Sequence, residues 1–97
     1  MANSRVFREP VGVVAAISPW NYPLLISMSK IIPAVVAGCT VVHKPSEITP
    51  LNTLLLAEIA AAAGVPAGVY NVVIGTGPNI GEHLVRHPEV HMAACTG

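Results

Sequence analysis

Ninety-seven residues hold at most one domain, and the composition is wrong for a domain standing alone: 53% of the chain is apolar and 10% is Asp, Glu, Lys or Arg, against roughly 25% charged in an ordinary soluble chain. A chain this short also keeps a large share of its area exposed, so the sums point to a piece of something larger whose apolar faces are covered by other segments. Five basic and five acidic residues cancel to zero net charge and are scattered, which removes the electrostatic case for a nucleic-acid or anionic-membrane partner.

Residues 1–10, with Asn3, Ser4, Arg5, Arg8 and Glu9, read as an approach segment. Residues 11–17 form a continuous apolar stretch rich in β-branched side chains, the pattern of a strand buried on both faces. Residues 24–37 carry small and aliphatic side chains at helical spacing. Pro33 is expected to kink or locally break that helix, and Gly38 suits its C-terminal end. A second short strand is expected at 40–43, where Thr40, Val41 and Val42 are all β-branched. After a polar connection, Thr49 reads as an N-cap and Pro50 as the first helical residue. Leu51, Leu54, Leu55, Glu58, Ile59 and Ala62 then continue at i, i+3, i+4 spacing as far as Gly64. A third buried strand is expected at 69–74, a third helix from Pro78 to about His87, and a fourth strand at 90–95. Strands alternating with helical connectors imply βαβ crossovers and a parallel sheet. The fold class expected is therefore α/β, an incomplete Rossmann-type parallel sheet of about four strands and three helices.

No run reaches the roughly 18 apolar residues of a membrane-spanning helix. The first is ended by Ser18-Pro19, and the run 31–39 contains Pro33 and Gly38. Arg5 and Arg8 precede an apolar run as in a secretion signal, but Glu9 and Pro10 interrupt it and bulky Trp20, Asn21 and Tyr22 sit where small cleavage-site residues belong. With no targeting segment, a cytoplasmic location is the expectation. Cys39 and Cys95 lack framework spacing and read as buried small apolar residues rather than a disulfide.

In parallel sheets ligands sit beyond the carboxyl ends of the strands, so Ser18 to Asn21, Lys44 to Glu47, Gly75 to Gly77 and Thr96-Gly97 are where chemistry is expected. Lys44 and Glu47 can address a sugar-phosphate from two sides, the ammonium donating and the carboxylate accepting from ribose hydroxyls. The same pair also fits a surface ion pair beside a helix start. Gly75-Thr76-Gly77-Pro78-Asn79-Ile80-Gly81 is GxGxxxG, one residue longer than the dinucleotide fingerprint, and the acidic residue lies before it rather than about 20 residues after; by itself the run reads as an ordinary turn before it reads as a fingerprint. Pro19 and Pro23 bracket Trp20, Asn21 and Tyr22. Such a rigid corner could aim the Asn21 amide at a developing oxyanion, or the amide could only bond local backbone. His83, His87 and His91 recur every four residues, but Pro88 ends the helix between them, so no zinc face is expected. His43 is assigned no role.

Three ordered motifs resemble the aldehyde dehydrogenase superfamily. They are Glu9-Pro10-Val11-Gly12-Val13-Val14 leading to Pro19-Trp20-Asn21-Tyr22-Pro23, then Ala37-Gly38-Cys39-Thr40-Val41-Val42-His43-Lys44-Pro45-Ser46-Glu47-Ile48-Thr49-Pro50, then Gly64-Val65-Pro66-Ala67-Gly68-Val69-Tyr70-Asn71-Val72-Val73. The similarity runs from about Val6 to Gly97 and implies that residues 11–97 are part of a dinucleotide-binding domain. The resemblance implies that Asn21 helps hold the oxyanion of a cysteine thiohemiacetal. Ser18, Pro19 and Trp20 would line the cofactor cleft, Lys44 and Glu47 would bind the adenosine ribose, and Gly77 and Gly81 would approach the adenine and pyrophosphate. Thr96 and Gly97 would begin a turn near the nicotinamide. His43 and Cys95 depart from the family pattern, which commonly has an aliphatic and an aromatic residue there. The nucleophilic cysteine and general-base glutamate match no residue of this chain. The function implied is part of an NAD-dependent aldehyde dehydrogenase (NADP being possible), with a small-molecule aldehyde as substrate and a homo-oligomeric state when complete, the 97-residue chain being inactive alone. The alternatives are a non-catalytic remnant that binds a nucleotide or partner, and a flavodoxin-like phosphate binder.

Overall fold

The computed structural model describes residues 9–96. Most of the approach segment, and Gly97, lie outside the described residues. Strand β1 (Val13–Ile17) leads to helix α1 (Pro23–Val36), then β2 (Thr40–Lys44), α2 (Leu51–Ala62) and β3 (Tyr70–Val72). A wide helical turn (Gly77–Gly81) then runs into α3 (Glu82–Arg86), and β4 (Met92–Cys95) follows. The four strands form one sheet in the order β3-β2-β1-β4, and every neighbouring pair is parallel. The α/β architecture read from the alternation is the one observed.

Two successive crossovers carry the chain outward from β1 to β3, and the third returns it to the other side of β1. Side-chain alternation along the strands decides what each face packs against. Val14, Ala16 and Val41 face α1, where Ile31, Ala34 and Val35 complete the core with Cys39, Leu56 and Tyr70. Val13 and Val42 face the other way, towards Leu84, His87 and Val90 at α3. The reversal of winding thus puts helices on both faces of the sheet and leaves the gap between the ends of β1 and β4 as a topological switch point.

The element limits differ from the sequence expectation for local reasons. β1 starts at Val13 because Gly12 holds a left-handed φ of +117°. A Cβ at Gly12 would collide with the His91 ring, whose Nδ1 accepts the Val13 N–H at 3.0 Å. Pro33 does not break α1. The carbonyl it leaves unbonded belongs to Ser29, and both residues lie on the exposed side of the helix, where water can satisfy it. Thr49 does not cap α2: Pro50 occupies the N-cap position and the Thr49 hydroxyl is buried without a partner. Ser46 closes that connection instead, its hydroxyl accepting the Ile48 N–H and its carbonyl the Thr49 N–H, each at 3.2 Å. The third helix opens wide because the Ile80 and Gly81 N–H groups both donate to the Thr76 carbonyl, at 2.9 and 3.3 Å. Strands β3 and β4 are shorter than expected.

Candidate functional site

The carboxyl ends of the three adjacent strands β2, β1 and β4 meet at one edge of the sheet. The Ser18 N–H donates to the Lys44 carbonyl at 3.2 Å, and the Thr96 N–H donates to the Ile17 carbonyl at 3.1 Å. Lys30, from the third turn of α1, sends its ammonium to the Thr96 hydroxyl. On the opposite face the aliphatic stem of Lys44 passes Gly81, where an added Cβ would lie 3.6 Å from Cδ of Lys44 and 3.6 Å from Cδ1 of Ile17. The structure therefore brings together Ser18, Lys44, Gly81 and Thr96, drawn from three strand ends and the helix start that faces them.

Lys44 is only 3% exposed. Its ammonium donates to the Pro45 carbonyl at 2.8 Å, and Oε2 of Glu47 stands 3.9 Å away on a side chain half exposed. A lysine ammonium has three donors, so this arrangement leaves donors uncommitted beside a half-exposed carboxylate. That donor set suits vicinal hydroxyls or a phosphate ester: the carboxylate accepts from hydroxyls and the ammonium donates to oxygen. Gly77 has open space where its Cβ would be, and the Thr76 hydroxyl accepts the Asn79 N–H at 3.4 Å to shape the loop. Within the GxGxxxG run, steric need is clearest at Gly75, whose Cβ would fall on the Ile80 side chain.

Residues 19–22 form a corner directly after Ser18, exposed from Trp20 onward. Trp20 is 60% exposed, and Asn21 is exposed beside it. Tyr22 is the one described non-glycine residue with positive φ, at 49°, and its carbonyl accepts the Ile26 N–H at 3.1 Å as α1 begins. Such a conformation is uncommon for a bulky residue and persists when its surroundings impose it. Pro19 confines Ser18 to extended backbone, whereas Pro23 by itself favours an extended Tyr22, so the left-handed turn is held by the bond to Ile26 as α1 begins. Trp20 and Asn21 are thereby displayed at the same sheet edge as Ser18.

Other polar residues have local structural roles. His87 accepts the Glu89 N–H on Nδ1 at 3.1 Å and packs edge-on against His83, and no metal-ligating cluster is found among the described residues. Cys39 is buried as expected, whereas Cys95 is exposed, because β4 is an edge strand paired only with β1. No described helix is long and apolar enough to cross a membrane.

Sequence reasoning missed His43. Its ring is fully buried beneath the strand ends, with Nε2 2.8 Å from the Ser18 hydroxyl and 3.4 Å from that of Ser27, and Nδ1 2.8 Å from the Tyr70 hydroxyl. Burial, aided by the charges of Lys44 and Lys30, lowers its pKa from 6.5 to about 4, so the ring is neutral at pH 7. Burial likewise pushes the Tyr70 hydroxyl well above the ordinary tyrosine range. The available signal was a polar residue inside an apolar strand, since a buried polar group needs partners. The partners are distant in sequence.

The aldehyde dehydrogenase family model matches residues 1–97. The chain belongs to that family. Phenylacetaldehyde dehydrogenase of Pseudomonas fluorescens is 60% identical over 90 residues, which are 93% of this chain and 18% of that protein. Mitochondrial succinate-semialdehyde dehydrogenase of Arabidopsis thaliana is 53% identical over 92 residues, 95% of this chain and 17% of the relative. Among solved structures, aldehyde dehydrogenase C of Pseudomonas syringae, crystallised as a mutant with NAD+ and octanal, superimposes with a TM-score of 0.91 at 51% identity, over 93% of this chain and 19% of that one. The NAD-dependent aldehyde dehydrogenase of Sinorhizobium meliloti gives 0.89 at 50% identity, over 92% and 18%. This aldehyde dehydrogenase chain thus spans about a fifth of the length of the relatives it matches.

Proposed function

We propose that the chain forms one wall of the NAD+ site of an aldehyde dehydrogenase that oxidises an aldehyde to a carboxylic acid, with residues 11–97 as part of its dinucleotide-binding domain. The observation that carries this reading is the meeting of Ser18, Lys44, Gly81 and Thr96 at the strand ends beside the switch point. It is supported by family membership and by the likeness to relatives described with NAD. The buried Lys44 ammonium and open Glu47 carboxylate fit the ribose hydroxyls of the cofactor's adenosine half, and the carboxylate disfavours the 2′-phosphate of NADP. Gly77 and Gly81 give the adenine and pyrophosphate room to approach the helix start, while Ser18, Pro19, Trp20, Thr96 and Gly97 border the cleft. Bound NAD+ supplies the hydride acceptor.

Asn21 is the residue of this chain that acts on reacting atoms: its amide donates to the oxyanion formed when a cysteine thiolate adds to the aldehyde. Neither Cys39, which is buried, nor Cys95 matches the motif of that thiolate. The 97-residue chain is therefore inactive alone, acting in a cytoplasmic homo-oligomer when complete. Relatives named for phenylacetaldehyde, succinate semialdehyde and aminoacetaldehyde are 60%, 53% and 54% identical to this chain. That spread supports placing the choice of aldehyde outside these residues.

The test is a graft in which this chain replaces the matching segment of the Pseudomonas fluorescens enzyme. The graft should reduce NAD+ in the presence of phenylacetaldehyde, and Asn21→Ala should lower kcat roughly a hundredfold or more. A graft that folds and binds NAD+ but loses nothing on Asn21→Ala overturns the assignment. The isolated chain, dialysed against NAD+ and FMN, should retain NAD+ alone; retention of FMN in preference would point to a flavodoxin-like binder.

A further inference from the structure

The proposed chemistry places Trp20 and Asn21 on an exposed corner, yet a hydrogen-bond donor is useful only if it is held still. The polar contacts that tie this corner to the sheet run through Ser18, whose N–H is bonded to Lys44 and whose hydroxyl points down to the His43 ring. Pro19 follows immediately, so the backbone of Ser18 is confined to extended conformations. Movement of Ser18 is passed on to Trp20 and Asn21 with little slack.

His43 sits where four elements meet. It belongs to β2, its Nε2 reaches Ser18 after β1 and Ser27 on α1, and its Nδ1 reaches Tyr70 on β3. The Ser18 and Ser27 hydroxyls are themselves 3.3 Å apart. A neutral imidazole has one donor and one acceptor nitrogen. A hydroxyl at each end satisfies both in either tautomer, so the ring leaves no buried polar atom unpaired. Burying a polar ring completely, on the strand face that also carries Val41, is costly unless such partners exist, and here they extend to the base of the corner.

We propose that His43 is a positioning residue: clamped by Tyr70 at one nitrogen and bonded to Ser18 at the other, it fixes the corner at residues 19–22 and hence the aim of the Asn21 amide. Its role in catalysis rests on the function proposed above, but its effect on the corner does not. Glutamine can place its amide near the site of the imidazole Nε2 and keep the bond to Ser18. Asparagine reaches only the site of Nδ1 and keeps the bond to Tyr70. The two replacements therefore separate corner positioning from filling of the core.

The measurement is backbone 15N relaxation of the grafted enzyme and its variants, with the label confined to the residues of this chain. In the unsubstituted chain the amides of Trp20, Asn21 and Tyr22 are expected to have order parameters of about 0.85, falling below about 0.6 in His43→Asn and in the gentler Ser18→Ala. In His43→Gln they stay near the starting value, and the amides of α2 stay ordered throughout. In the grafted enzyme, His43→Asn lowers kcat roughly fivefold or more, as expected for one lost hydrogen bond, with little change in the KM for NAD+, and His43→Gln restores it. A corner that remains ordered in His43→Asn and Ser18→Ala, or one that loosens only together with α2, overturns the proposal. A graft without activity in any form defeats the functional reading while the relaxation result still decides the positioning.

Discussion

Acidification tests the buried imidazole independently of any ligand. The folded chain holds the His43 pKa at about 4 against 6.5 for the free side chain, chiefly because the ring is desolvated. Between those pH values an unfolded chain takes up a proton that the folded chain refuses, so stability falls as pH drops from about 6.5 to about 4 and levels off below. At about 1.4 kcal/mol per pH decade, the full drop is on the order of 3 kcal/mol, a large part of the stability of a small domain. Urea unfolding of the chain across this window, at a dilution where the midpoint no longer depends on concentration, should show the midpoint moving down by roughly 2 M. His43→Val should start less stable at pH 7, since Ser18, Ser27 and Tyr70 lose their shared partner, but its midpoint should vary much less with pH. Parallel pH dependence in the two proteins between 4 and 6.5 would refute the reasoning, because the titrating group would then lie elsewhere.

Three further outcomes follow from contacts in the structure. Lys44→Ala is expected to weaken NAD+ binding roughly tenfold or more, measured by calorimetry on the grafted enzyme, as for a lost charge-assisted hydrogen bond; Lys44→Met, which keeps the stem against Gly81, should lose about as much. Glu47→Gln should raise the affinity for NADP+ relative to NAD+, because a fixed negative charge beside the ribose is removed; an unchanged ratio in parallel titrations would remove Glu47 from cofactor selection. Gly75→Ala should lower the thermal midpoint, at a cost of about 1–3 kcal/mol, because the new methyl group falls on Ile80.

The alternation of apolar runs with helical spacing exposed the α/β class in the sequence, because strands buried on both faces read as unbroken apolar runs and the segments between them carry apolar residues at helical spacing. The placement of Lys44 and Glu47 at a strand end was legible because a polar pair stands where an apolar strand stops. Limits set by three-dimensional contacts were not legible. The start of β1 depends on His91 packing over Gly12, and the cap of α2 was lost from Thr49 to the Ser46 turn. Pro33 does not interrupt α1, and both it and Ser29, whose carbonyl it leaves without a helical donor, are exposed. His43 was unreadable for the same reason as the β1 limit, since Ser18, Ser27 and Tyr70 are joined to it only after the sheet and α1 have assembled. Cys95 looked like a core residue until the strand order put it on an edge.

The exposed apolar side chains of α1 and α2, among them Leu25, Val36, Leu51 and Leu55, together with the open edges of a parallel sheet, should make the isolated chain self-associate. Sedimentation velocity should show species growing with concentration, and a stable monomer with a sharp melting transition would contradict that expectation.

The most direct test of the cofactor wall is a residue-resolved NAD+ titration of the grafted enzyme, with the label confined to the residues of this chain. Saturable shifts are expected at Ser18, Trp20, Asn21, Lys44, Glu47, Gly77, Gly81 and Thr96, with little change along the exposed outer side of α2. Saturable binding that moves α2 while leaving Lys44, Gly81 and the Trp20 indole untouched would contradict it.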